Sequence, residues 1–226
     1  MRDDLDFLLD RREFLIRACL TASVPLVIAA GGQSRSPDEV AAAERTGQPS
    51  VDRKPGTAGR PLTPMPACED EDDLTLASIE GPFYKPKSPE RASLWEPGVG
   101  GTRIVLTGQV LSRTCKPVPR ALLDFWHADD KGDYDNVGFK LRGHQYADAE
   151  GCYRLETIVP GEYGFRTRHF HVKVQAPNSR ILTTQLYFPG EPRNRRDFLF
   201  RPELLTSVKD ANDGRRATFN FVLNIP

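Results

Sequence analysis

The chain is poor in the features that mark several classes of protein. Its 226 residues include 31 lysines and arginines against 31 aspartates and glutamates, so it lacks the basic excess typical of nucleic-acid binding. Its four cysteines, Cys19, Cys68, Cys115 and Cys152, form no CxxC pair, and such spacing does not predict a structural zinc site. No long amphipathic helical pattern follows residue 73. The remaining composition is that of one globular domain with additional segments.

An apolar run near the N-terminus follows two adjacent arginines, Arg11 and Arg12. The run is too short to span a bilayer and ends in small residues. Residues 1–32 therefore resemble a twin-arginine export signal, with a buried or interfacial helix as the alternative. This interpretation predicts a periplasmic or extracellular protein without a stable membrane anchor.

Residues 33–73 have the composition of a linker, since Pro, Gly, Ser, Ala and charged residues occur there without an apolar period. Export would place the chain in an oxidising compartment, where the cysteines outside the signal could form one disulfide. Cys115 lies at a Lys-Pro turn and Cys152 begins an apolar run, so these two are candidate partners. Cys68 is the alternative partner.

Short alternating apolar runs recur between turn residues in the rest of the chain. Six of them are RIVLTGQV, ALLDFWH, CYRLETIV, HFHVKVQA, ILTTQLYF and ATFNFVLNI. Short strands at this spacing are typical of an all-β sandwich or barrel. We therefore predict an all-β domain, a β-sandwich, over residues 74–226.

The segment FRTRHFHVKV places His169 and His171 two residues apart. Because side chains alternate between the faces of a strand, both imidazoles share one face, while Phe170, Val172 and Val174 share the other. The apolar face predicts a core. Two imidazoles at this spacing can bind one metal ion; the alternative is a pair of polar residues on a solvated face.

Two loop segments each carry a tyrosine among glycines and acidic residues. ADDKGDYDN contains Tyr134, and VPGEYGF contains Tyr163, six residues before His169. A phenolate is a hard anionic oxygen donor, and a strongly Lewis-acidic ion such as Fe(III) can keep a tyrosine deprotonated near neutral pH. Two tyrosines and two histidines together predict a ferric site, whereas ordinary turn and loop packing is the alternative.

Several ordered motifs resemble the catalytic domain of the intradiol ring-cleavage dioxygenases, of the catechol and protocatechuate type. The resemblance begins near Ile79 with EGPFY, and its main segments are VLSRTCKPVPRALLDFWHADDKGDYDN, LRGHQYADAEGCYRLETIVPGEYGFRTRHFHVKVQAP and LTTQLYF. It implies a β-sandwich that holds non-haem Fe(III) and needs no organic cofactor. The implied reaction uses O2 to cleave a catechol-type ring between its two hydroxylated carbons, which gives a muconate-type diacid.

The resemblance also implies roles for individual residues. The metal ligands would be Tyr134, Tyr163, His169 and His171. Tyr163 would leave the metal as the catechol binds and accept one of its protons. Arg166 and Gln185 would stabilise anionic charge on the substrate. Trp126 and Tyr84 match family motifs without being ligands; we expect Trp126 in the core or behind the ligands, and Tyr84 at most in the pocket wall.

Two other functions stay open at this point. His127 and Asp129 have the HxD spacing of an iron(II) triad, and with His169 they could belong to a 2-oxoglutarate oxygenase. An exported β-sandwich could also be a non-catalytic binding module. The substituents of the catechol and the oligomeric state are not predicted. Arg168 is a possible partner for a substrate carboxylate, but strand alternation predicts that it points away from His169.

The export hypothesis predicts that changing Arg11 and Arg12 together to Lys will retain the protein inside the cell, because the arginine pair is the element recognised for export. The measurement is the fraction of protein found outside the cytoplasm, compared with the unchanged chain. Export of the variant at full yield would show that another route is used.

Overall fold

The computed structural model describes residues 74–226, and these residues form nine strands. The strands are β1 (Arg103–Ser112), β2 (Leu122–Trp126), β3 (Arg142–Tyr146), β4 (Cys152–Ile158), β5 (His169–Gln175), β6 (Leu182–Tyr187), β7 (Ser207–Ala211), β8 (Gly214–Thr218) and β9 (Phe221–Leu223). Two short 3-10 helices, Pro192–Arg195 and Pro202–Leu204, lie between β6 and β7. The predicted all-β class is confirmed.

The strands belong to two sheets. The first sheet has the order β4-β1-β8-β7, and β9 pairs with the last residues of β1. The second has the order β3-β2-β5-β6, and all its pairs are antiparallel. The long strand β1 is antiparallel to β4 but parallel to β8 and β9, so the first sheet is mixed.

The core lies between the inner faces of the two sheets. Leu106 and Leu155, which pair across β1 and β4, are fully buried, as is Phe125 on β2. Phe170 and Val172 on β5 join the same cluster, which confirms the predicted core face of that strand. Burial of apolar area on this scale is the main favourable contribution to folding.

The outer face of the second sheet is covered by the segment that precedes β1. We call residues 75–91 the strap. It crosses from β6, where Ser78 N donates to Thr183 O at 2.8 Å, to β3, where His144 N donates to Pro89 O at 3.0 Å. His169 and His171 face the strap side of β5 and are only 4% and 3% exposed. The alternative of a solvated strand face is therefore wrong.

The predicted signal and linker, residues 1–32 and 33–73, lie outside the described residues. Cys115 and Cys152 are both disulfide-bonded, whereas Cys68 lies outside the described residues. Within residues 74–226, no helix has the length and apolar character needed to cross a membrane.

We predict that Leu155→Ala lowers the free energy of unfolding by about 2–5 kcal/mol, because it leaves a cavity between the sheets that the surrounding side chains fill only in part. Urea denaturation measures the change. The matched control is Val137→Ala, since Val137 is 96% exposed, and this variant should change stability by no more than about 0.5 kcal/mol. Equal losses in the two variants would contradict the assigned core.

Candidate functional site

The two histidines of β5 direct their ring nitrogens at one point. The Nε2 atoms of His169 and His171 are 3.1 Å apart. His169 Nδ1 lies 2.6 Å from the carbonyl oxygen of Thr167, an acceptor that fixes the proton on Nδ1 and leaves the lone pair on Nε2. This is the arrangement in which a protein orients a histidine that binds a metal through Nε2.

Burial keeps both imidazoles neutral, which is the form that binds metal ions. It lowers the pKa of His169 to about 4, and the charge of Arg166 acts in the same direction. Burial also lowers the pKa of His171, with a further contribution from His169. The Nδ1 atom of His171 has no hydrogen-bond partner among the described residues, so its ring is held by packing.

Tyr134, predicted from the first loop, lies beside these histidines, and Tyr163 from the second loop lies beside Tyr134. Tyr134 Oη is 3.5 Å from His169 Nε2. The Tyr134 and Tyr163 rings meet edge to face, with centroids 5.7 Å apart. The structure therefore brings together all four predicted ligands, which we call the His–Tyr cluster: Tyr134, Tyr163, His169 and His171.

Burial raises the pKa of Tyr134, although the nearby charges of Arg166 and Arg142 lower it. The phenol form is therefore favoured near neutral pH unless a cation compensates. A Lewis-acidic metal beside the hydroxyl oxygen would provide that compensation. Two neutral imidazoles and two tyrosine hydroxyls, which such a metal would deprotonate on binding, therefore fit a hard, highly charged ion such as Fe(III).

Close backbone packing brings the two tyrosine loops together. Gly132 has a φ of +95°, and a Cβ added there would lie 2.0 Å from the carbonyl oxygen of Glu162. A Cβ added to Gly161 would lie 2.4 Å from the backbone nitrogen of Gly132. Real Cβ atoms do not approach backbone this closely, so both positions require glycine. The contact holds Tyr134, two residues after Gly132, beside Tyr163.

Arg166 lies at the centre of a buried hydrogen-bond network. Its Nε donates to both carboxylate oxygens of Asp197, at 2.8 and 3.0 Å. Its Nη2 donates to Gln185 Oε1 at 2.5 Å and to Tyr187 Oη at 3.2 Å. Asp197 also accepts from Thr167 N at 3.0 Å. Loss of any of these partners would leave a buried charge uncompensated, which is costly. The network therefore fixes the orientation of Arg166.

The strap supplies site residues that the sequence reasoning missed. Phe83 stacks on Tyr134 with centroids 4.3 Å apart and meets Tyr163 edge to face at 5.0 Å. Arg142 Nη1 donates to Phe83 O at 2.5 Å, which anchors this part of the strap. The one indication in the sequence is the motif EGPFY, in which Phe83 precedes Tyr84. Phe83 shields both tyrosines from solvent on one side.

Trp126 lies behind His171, as expected, with the two rings stacked at 4.8 Å. Tyr84 packs on the other side of this tryptophan at 4.9 Å, and its hydroxyl donates to Asp124 Oδ2 at 3.2 Å. Burial, followed by the charge of Asp124, raises the pKa of Tyr84 to about 12. Tyr84 thus supports Trp126 instead of contacting the two tyrosines.

Arg168 points away from the histidines, in agreement with strand alternation. Its Nε donates to Glu191 Oε2 at 3.2 Å and its Nη1 to Pro160 O at 2.8 Å. It therefore lies outside the His–Tyr cluster.

The HxD pair does not form a metal site with His169. His127 Nε2 lies 2.7 Å from Thr157 Oγ1, and its Nδ1 lies 2.7 Å from Ala128 O, so protein atoms occupy both ring nitrogens. Asp129 accepts backbone hydrogen bonds within its own turn. Within residues 74–226, no group of three or more His, Cys, Asp or Glu side chains could hold a metal. The 2-oxoglutarate oxygenase alternative lacks its triad.

Comparison with known proteins identifies the family. A family model described as Dioxygenase matches residues 79–225, which includes every residue of the His–Tyr cluster. The chain belongs to the intradiol ring-cleavage dioxygenase family. The predicted family resemblance is thereby confirmed.

Relatives of this intradiol dioxygenase chain include proteins named as catechol 1,2-dioxygenases. One from Acinetobacter lwoffii is 33% identical over 165 residues, which cover 61% of this chain and 60% of that protein. Another, from Pseudomonas sp. strain EST1001, is 31% identical over 153 residues, 56% of this chain and 51% of that protein. The chain thus spans about half the length of the curated relatives it matches.

Solved structures of the family share the fold. The dioxygenase domain of a dioxygenase carbohydrate-binding protein fusion from Streptomyces sp. SirexAA-E is 53% identical, with a TM-score of 0.67. The match covers 68% of this chain and 99% of that domain. Catechol 1,2-dioxygenase from Pseudomonas arvilla C-1 is 28% identical, with a TM-score of 0.61 and coverage of 66% and 61%. The predicted β-sandwich is confirmed.

The loop contact predicts that Gly132→Ala separates the two tyrosines and lowers iron binding. The added methyl group would force the Glu162 carbonyl to move. A non-glycine residue at a positive φ also lowers stability, by about 1 kcal/mol or more. Iron bound per chain after ferric reconstitution should fall well below that of the unchanged protein.

Gly98→Ala is the matched control, because Gly98 has a similar φ of +89° and nothing lies within 4 Å of an added Cβ. This variant should share the backbone cost and keep its iron. Equal iron content in both variants would show that the loop contact does not position the tyrosines.

Proposed function

We propose that this chain is a non-haem Fe(III) dioxygenase that cleaves catechol-type rings between the two hydroxylated carbons with O2 and yields muconate-type diacids. The observation that carries the proposal is the convergence of the His–Tyr cluster, in which two histidine Nε2 atoms lie 3.1 Å apart beside the hydroxyl of Tyr134. Membership of the intradiol family supports it. The four cluster residues are the proposed iron ligands.

A ferric ion bound there would act as a Lewis acid that favours the doubly deprotonated form of a catechol. Tyr134 is half-buried beneath Phe83, whereas Tyr163 is 37% exposed. The more exposed tyrosine has room to turn away from the cluster when a substrate enters. We therefore assign to Tyr163 Oη the role of accepting a proton from a catechol hydroxyl, as a general base.

Arg166 and Gln185 are positioned to act on the substrate. The contacts of Arg166 with Asp197 and Gln185 use Nε and Nη2, so its Nη1 stays available to an anionic oxygen of the substrate. Gln185 Nε2 donates to the strap at Ile79 O, at 2.9 Å, and this bond fixes the amide. A preorganised positive charge in a buried site stabilises anionic charge as it develops.

The proposed substrate class rests on the names of the relatives and on the metal-binding side chains of the His–Tyr cluster. The relatives are named for catechol, chlorocatechol, hydroxyquinol and protocatechuate, all of which carry adjacent ring hydroxyls. A catechol-type small molecule is therefore the proposed substrate, together with O2. A non-catalytic binding module, the remaining alternative, would need no metal and no buried Arg166 network.

Export of the enzyme is part of the proposal. Arg11 and Arg12 precede an apolar run at the N-terminus, as in twin-arginine signals. Cys115 and Cys152 are both disulfide-bonded, and disulfides persist in oxidising compartments outside the cytoplasm. The proposed location is the periplasm or the extracellular space.

The two tyrosines should respond differently to loss of the hydroxyl. Tyr163→Phe leaves Tyr134 and both histidines, so the protein should keep iron and a changed visible colour. Its rate of ring cleavage should fall about a hundredfold or more, because a positioned base is lost. Tyr134→Phe removes the ligand that stays throughout, so it should lose most of its iron and colour.

Iron per chain, the visible spectrum with and without catechol, and the single-turnover rate measure these effects. Tyr146→Phe is the matched control, since Tyr146 is an exposed tyrosine on β3, and it should keep native iron, colour and rate. Native colour and rate in both cluster variants would show that neither tyrosine binds iron. A colourless protein that stays inactive after ferric reconstitution would contradict the ferric enzyme.

A further inference from the structure

Two phenylalanines form an exposed aromatic pair next to the candidate active site. The rings of Phe165 and Phe198 stack with centroids 5.5 Å apart and an interplanar angle of 23°. They are 60% and 67% exposed, and neither belongs to the hydrophobic core. The fold therefore gains little apolar burial from them, while two large rings stay in contact with water.

The pair lies at the outer end of the Arg166–Asp197 ion pair. Phe165 precedes Arg166 and Phe198 follows Asp197 along the chain, so the buried salt bridge of 2.8 Å between these polar residues also holds the two rings together. In each of these residue pairs, the charged side chain thus lies in the buried network and the phenylalanine ring is exposed to solvent.

A tight turn sets the distance between Phe165 and the His–Tyr cluster. Arg166 N donates to Tyr163 O at 2.7 Å, and Gly164 in this turn has a φ of +53°. The ends of such a turn lie within about 7 Å of each other. Phe165 lies inside this turn, two residues after Tyr163, the exposed tyrosine that we propose turns away when a substrate enters.

We propose that Phe165 and Phe198 form a platform that binds a flat apolar substituent, an aryl group above all, on the ring of the catechol. The inference rests on the proposed function, and it names the substrate class as catechols with an aryl or similarly planar apolar substituent. A catechol held by its two oxygens at the cluster directs its remaining ring carbons away from the metal. A planar substituent that leaves the site past Tyr163 meets the Phe165 and Phe198 rings, and offset or edge-to-face stacking between such rings is favourable.

Calorimetry without O2 tests the platform on the iron-loaded full chain. The probes are catechol and 4-phenylcatechol, which present the same hydroxyls and differ by one aryl group. We expect the unchanged protein to bind 4-phenylcatechol more tightly. In the double variant Phe165→Ala with Phe198→Ala, the ratio of the two dissociation constants should fall about threefold to tenfold, because stacking on the pair is lost.

Two further variants separate stacking from general surface effects. Phe198→Tyr keeps an aromatic face and should retain the preference for 4-phenylcatechol. Ile181→Ala removes an exposed apolar side chain of similar exposure, 54%, at the opposite end of the β5–β6 hairpin from His169, and should also retain it. Loss of the preference in Ile181→Ala would overturn the platform.

Two results in the main experiment would overturn the proposal: equal affinity of the unchanged protein for both probes, or an unaltered ratio in the double variant. Failure of the proposed function is seen separately, by oxygen uptake. If the iron-loaded protein prefers 4-phenylcatechol through the two phenylalanines but cleaves neither probe, the platform stands and the dioxygenase activity does not.

Discussion

Burial of one outer sheet face by the strap is the constraint on which the candidate site depends. A β-sandwich buries the inner faces of its sheets, and the outer faces normally meet water. Here residues 75–91 cross the second sheet and are held at β6 and β3 by backbone hydrogen bonds. The imidazoles of His169 and His171 are therefore desolvated and neutral, and Phe83 of the strap covers Tyr134.

Strand alternation is sufficient to predict part of this arrangement. It places His169 and His171 on one face of β5 and Phe170 on the other, because the period of a strand is local. The burial of that face is not predictable in this way, since the strap has no apolar period and is fixed by contacts with distant strands. Strand β3 is missed for a related reason: its sequence RGHQY is polar, yet Arg142 within it is buried and bonded to the strap at Phe83 O.

Residue spacing also does not predict which polar side chains bond to each other across long stretches of the chain. Arg166 and Asp197 are 31 residues apart, and no periodic rule relates a turn before β5 to a loop after β6. The glycines near the tyrosines were visible in the sequence, but their close approach was not. Only the structure shows that Gly132 and Gly161 bring two backbones into contact, which sets the separation of Tyr134 and Tyr163.

The anchoring of the strap at its first residues has a consequence for the order of folding. Thr75 N donates to Val222 O at 3.0 Å, and Val222 N donates to Thr75 Oγ1 at 2.8 Å. This contact joins residues separated by 147 positions, and β9 itself pairs with β1. Contacts between such distant residues form late, because a long loop must close first. We therefore expect the strap to close over the His–Tyr cluster only after the last strand, β9, has been synthesised.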